Sequence, residues 1–117
     1  MSELDRALSA IRAHEGVEHV LVLGRDGLLI QHTGAGPLDV EDVAAMVPGI
    51  VSAASGLGAA AGRGEASTLV IRYPRGVAVV EVLSPDLLLA VLLRGTEGFA
   101  PLLRELSRER GQLAALV

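Results

Sequence analysis

The sequence predicts an α/β (α+β) domain: a five-stranded, mostly antiparallel sheet sandwiched between helices in the order α-β-β-α-β-β-β-α. Three observations predict it. Runs rich in Val, Leu and Ile are joined by tight-turn signals, RDG at 25–27, PRG at 74–76 and SPD at 84–86. Three other segments carry helix-type patterns. The last apolar run, LLLAVLLR, is hydrophobic on both faces, so it reads as a central strand covered on both sides.

The first helix opens at Ser2, with Asp5 three residues on in the manner of a capping box. Leu4, Leu8 and Ile11 follow at helical spacing, and Gly16 supplies a stop. VEHVLVLG and LLIQH form a hairpin about Arg25-Asp26-Gly27, where Gly takes the left-handed position. Asp39 caps a second helix, with Glu41 and Asp42 in the first turn, where the helix dipole favours acids. That helix is expected to reach about Gly62, interrupted or kinked near Pro48. STLVIRY, VAVVEVL and LLLAVLLR are the next three strands. Phe99 to Leu116 reads as the last helix. Phe99, Leu102, Leu103, Leu106, Leu113 and Leu116 lie on one face, with Arg104, Glu105, Arg108 and Glu109 outside.

The chain of 117 residues suits one domain, taken as 1–117. Net charge is −4, and no basic face suggests a nucleic-acid partner. All ten basic residues are Arg; Lys, Asn and Cys are absent, which excludes thiolate sites, Schiff-base lysines and a P-loop lysine. Tyr73 and Phe99 are the aromatic residues, too few for a base-stacking platform. The N-terminal residues do not read as a signal peptide. Val43 to Gly62 is uncharged and long enough for a bilayer, but Pro48, four glycines and two serines favour a covered soluble helix.

GLGAAAGRG, Gly56 to Gly64, mimics the spacing of a dinucleotide loop. Such a loop needs a strand before it and a helix after it, so that phosphates meet helix N-terminal amides. Here the order is inverted, and phosphates would face carbonyls. A different reading fits better. Ala45, Gly49, Ala53, Gly56 and Ala60 form a lane with little side-chain bulk, along which another backbone can approach closely. Val43, Val47, Ile50 and Leu57 are expected to face the sheet. A helix apolar all round needs cover on both sides, and an identical chain is the simplest second cover.

His14, His19 and His32 lack metal-ligand spacing and read as structural. No G-x-S-x-G elbow is present, and Ser52 and Ser55 have no base within helical reach. Arg63, Arg72 and Arg75 read as solvated. No catalytic residue, cofactor site or metal site is expected.

The ordered set of VLVLGRDGLLI, DVEDVAAM and LLLAVLLRG resembles the Roadblock family, which includes Roadblock-type dynein light chains and bacterial MglB-like proteins. The resemblance implies a profilin-like outline and dimers made by pairing second helices and edge strands. It also implies service as a partner or regulator of small Ras-like GTPases, or as a motor adaptor. Carried onto this sequence, it places Ala45, Gly49, Ala53, Gly56, Ala60, Leu69 and Ile71 in a homodimer interface. Glu41, Ala45, Pro48 and Ser52 would form the exposed rim that meets the GTPase. Pro48 departs from the family pattern. A cytoplasmic location is expected, with neither nucleic acid nor membrane as partner. The alternatives are a structural adaptor in a larger complex and a small-ligand sensor; few aromatics and no expected buried polar residues weigh against the sensor.

Overall fold

The computed structural model describes residues 2–117. The elements are α1 (Glu3–Arg12), β1 (Val17–Gly24), β2 (Leu29–Gly34), α2 (Val40–Ala60), β3 (Thr68–Tyr73), β4 (Gly76–Ser84), β5 (Leu87–Leu93) and α3 (Ala100–Ala115). The strands lie in the order β2-β1-β5-β4-β3, and every neighbouring pair is antiparallel. The apolar β5 is the central strand, as its pattern requires.

Alternation along the strands sorts side chains into two cores. On one face Val20, Val22, Val79, Leu89 and Val91 pack against Leu8 and Ile11 of α1 and Leu102, Leu106 and Leu113 of α3. On the other, Leu21, Leu23, Val80, Leu88 and Ala90 pack against Ala44, Val47 and Val51 of α2. Two helices therefore cover one face and a single helix the other.

Local chemistry sets the element ends. Ser2 Oγ accepts from the Asp5 amide at 3.1 Å while the Asp5 carboxylate accepts from the Ser2 amide at 3.2 Å, a complete capping box. Asp39 caps α2 through the Asp42 amide at 3.0 Å. In the β1–β2 turn, Gly27 has φ +86° and the Leu28 amide donates to Asp26 at 3.1 Å. A Cβ on Gly27 would sit 3.3 Å from Ala45 Cα, so the hairpin tip lies directly on the α2 backbone.

α2 differs from expectation in two respects. It runs from Val40 to Ala60 with Pro48 inside it, so of the interruption or kink expected there the interruption is absent. Its sheet-facing lane is Ala44, Val47 and Val51, whereas Ile50 and Leu57 are exposed. At about 100° per residue, Leu57 falls about 120° round the helix from Val51, out of reach of the sheet.

Candidate functional site

α2 presents three lanes outward from its buried one. Ala45, Gly49, Ala53, Gly56 and Ala60 all lie exposed on the side away from the sheet. A Cβ built on Gly49 or Gly56 meets no atom within 4 Å. The subunit's own packing therefore does not require glycine at either position, although each costs about 1 kcal/mol of helix stability relative to Ala. Beside this smooth lane runs a bulky one, with Met46 65% exposed, Leu57 72% exposed and Ile50 at its margin. On the opposite flank stand Glu41, Ala45 and Ser52, exposed, and Pro48, half-buried.

The bulky lane forms one wall of a groove. Val43, Met46, Val47 and Ile50 face Ile71, Tyr73, Ala78 and Leu92 across a cavity of about 210 Å³. Tyr73 and Ile71 belong to β3, an outer strand whose far edge has no neighbour. Leu69 and Ile71 are half-buried on the α2 side of β3, and Val70 is exposed on the other side. An exposed apolar edge strand without proline is a template for strand pairing. The interface residues expected from the sequence thus occupy two neighbouring surfaces, the smooth lane of α2 and the α2 side of the β3 edge.

The glycine-rich segment closes α2. Gly62 has φ +70°, its amide donates to the Ala59 carbonyl at 3.1 Å, and the Arg63 amide donates to the Gly58 carbonyl at 2.7 Å. These two bonds make a Schellman motif. A Cβ on Gly58 would lie 2.0 Å from the Gly64 carbonyl oxygen, so that glycine permits the chain to fold back. Ser55 has a structural task as well: its Oγ accepts from the Ala66 amide at 3.0 Å and anchors the approach to β3.

Two polar clusters depart from the expectation that no polar residue is buried. Glu81, 1% exposed, lies on the α1/α3 face. Arg110 Nε donates to its carboxylate at 2.7 Å, Arg110 Nη2 forms a second, short contact, and the Thr68 hydroxyl donates at 2.7 Å. This network ties α3 to the edge strand β3. On the α2 face, buried His19 and half-buried His32 meet Nδ1 to Nε2 at 3.0 Å. Their rings are within 19° of parallel with centroids 5.3 Å apart, which with that contact is the end-to-end geometry of an N–H···N bond. Gly34 makes room for it: a Cβ there would lie 2.2 Å from His19 Nδ1. Burial, then His19, then Arg12 hold the His32 pKa below its usual value. His14 meets Glu105 at 2.7 Å and joins the end of α1 to α3. Arg72 is exposed, as expected, and its guanidinium lies over the Phe99 ring at 5.3 Å.

Among the described residues, no group of three or more His, Cys, Asp or Glu is placed to hold a metal ion. α2 is long and apolar enough to span a membrane by length and composition, and Ala44, Val47 and Val51 fasten it to the sheet.

Fold and surface together define a class: a five-stranded antiparallel sheet between helices, with an unpaired apolar edge and an exposed apolar helix side by side. The Roadblock/LC7 domain pattern matches residues 3–93, and the chain belongs to that family. The structure is similar to the gliding protein MglB of Thermus thermophilus, with TM-score 0.87 and 20% identity over 97% of this chain and 87% of that one. It is similar to Myxococcus xanthus MglB, with TM-score 0.87 and 15% identity over 98% of this chain and 94% of that one. An MglB with a tetrameric arrangement gives TM-score 0.88 and 19% identity over 97% and 86% of the two chains. No curated protein matches the chain by sequence.

Proposed function

We propose that this protein is a cytoplasmic homodimer, without chemistry of its own, that binds and regulates a small Ras-like GTPase. The observation that carries the reading is the exposed apolar side of α2 next to the unpaired β3 edge. A second copy related by a two-fold axis would lay its own smooth lane along Ala45, Gly49, Ala53, Gly56 and Ala60. The same operation would pair β3 with β3, with Leu69 and Ile71 beside the seam. The groove against Ile71 and Tyr73 would receive bulky side chains of the partner's helix. Membership of the Roadblock/LC7 family supports this arrangement, as does the likeness to an MglB of tetrameric arrangement.

The rim of Glu41, Pro48 and Ser52 lies outside such a seam, with Ala45 at the border between the two, and this rim is the surface assigned to the GTPase. A GTPase in its GTP state orders switch loops that a partner can read, so binding should favour that state. Light scattering tests the first half: a mass of two chains at micromolar concentration is expected, and a monomer mass across that range would overturn it. Titration against the Ras-like GTPase encoded nearest its gene tests the second. Tighter binding to the GTP-analogue form is expected, while equal or absent binding in both states leaves the adaptor reading in its place. The groove supports a ligand sensor less well, because at about 210 Å³ it is smaller than drug-sized pockets of about 300–1,000 Å³.

A further inference from the structure

One segment of the chain has a composition unlike the rest. The segment from Arg25 to Asp42 holds the carboxylates of Asp26, Asp39, Glu41 and Asp42 against one guanidinium, a net charge of −3 out of −4 for the whole chain. The Arg25 side chain is itself engaged, donating to the Pro85 carbonyl at 3.2 Å. Two residues after Asp26, at the hairpin tip, stands a large apolar side chain, Leu28, 69% exposed. Leu28 and Leu29 line an open cleft with Gly27, Glu41 and Ala45. The tip is held rigidly, because Gly27 lets it rest on the α2 backbone and Asp26 fixes the turn.

Resting on the reading of a GTPase partner, we infer that the β1–β2 hairpin tip and the first turn of α2 form one recognition surface for a cation-rimmed apolar knob on that partner. Charge complementarity selects the occupant. Four carboxylates repel nucleic acid, phosphate and anionic lipid, and attract the Arg and Lys side chains of a folded protein. Leu28 supplies the apolar centre that such a rim surrounds. The cleft continues the face that carries Glu41 and Ala45, so hairpin and helix are read together. A preformed tip loses little conformational freedom on binding.

The test is calorimetric titration of the purified full-length protein with the Ras-like GTPase encoded nearest its gene, loaded with a GTP analogue, at low and high salt. Leu28→Ser should weaken binding roughly tenfold, as for a central apolar contact. Glu41→Gln should weaken it roughly threefold at low salt and reduce the loss of affinity that salt causes in the wild type. Glu15→Gln, an exposed carboxylate beyond the C-terminus of α1, should leave binding unchanged. Thermal melts and solution mass equal to wild type show that each variant is folded. Wild-type binding retained by both Leu28→Ser and Glu41→Gln overturns the inference and leaves the regulator reading intact. Absence of wild-type binding in both nucleotide states overturns both.

Discussion

Arg110→Ala removes the guanidinium that Glu81 meets inside the α3–sheet layer and leaves a carboxylate 1% exposed with Thr68 as its remaining donor. Breaking a buried ion pair from one side costs about 3–5 kcal/mol. Two features reduce that figure here. The Arg110 side chain is 35% exposed, so water reaches the vacated space, and the Thr68 hydrogen bond at 2.7 Å survives. The expected loss is about 2–3 kcal/mol. A chain of 117 residues has an unfolding entropy of about 0.25 kcal/mol/K, so the melting temperature should fall by about 8–12 °C. Scanning calorimetry at one fixed protein concentration measures it, since dimerisation would make the value concentration-dependent. The double variant Glu81→Met with Arg110→Met removes both charges and should recover to within about 1 kcal/mol of wild type. Arg110→Ala melting within about 2 °C of wild type would refute the reasoning, and so would a double variant as unstable as the single one.

Gly56→Leu should leave the subunit fold intact, because a Cβ there meets nothing within 4 Å, yet weaken self-association by about 1–3 kcal/mol; a wild-type dimer constant in sedimentation equilibrium would remove the smooth lane from the interface. Gly62→Ala forces a Cβ into φ +70° at the Schellman turn and should cost about 1–2 kcal/mol in a denaturant melt, whereas an unchanged midpoint would show that the turn relaxes freely. The lowered His32 pKa means the unfolded chain takes up this proton more readily, so its contribution is held above about pH 6.5 and lost as pH falls through the lower folded value. Melting temperatures from about pH 7.5 to about pH 5 should therefore decline less in His32→Gln than in wild type, and parallel declines would sink that assignment.

The hairpins were readable because turn chemistry is local: RDG, PRG and SPD each carry their geometry within a few residues. The central position of β5 was readable because a strand covered on both faces cannot alternate. The lanes of α2 were only partly readable. A helix apolar on every side offers no contrast between faces, so Ile50 and Leu57 looked as suited to the sheet as Val47. Glu81 carried a signal, a single acid in the apolar run VAVVEVL, but its partner lies 29 residues away on α3. His19 and His32 are 13 residues apart and meet only through the register of β1 and β2. Contacts set by tertiary register leave no spacing in the chain to read.

That loss of contrast in α2 has a physical origin that bears on function. An amphipathic helix serves one buried face and water. α2 has the sheet under Ala44, Val47 and Val51, and a smooth side at Gly49, Ala53 and Gly56 that its own subunit leaves bare. It also has bulky Met46 and Leu57 toward the groove and the β3 edge, and an acidic start at Glu41 and Asp42, of which Glu41 shares a cleft with the hairpin tip. The proposed second copy would account for the smooth and bulky lanes, because a two-fold axis presents the same lanes from the other side. It does not account for the acidic start, which the proposed arrangement leaves outside the helix seam. Carboxylates there gain from the helix dipole, yet Leu28 beside them gains nothing from water. The pairing of an exposed Leu with nearby acid therefore points beyond the proposed dimer, to a different protein whose surface is basic where this one is acidic.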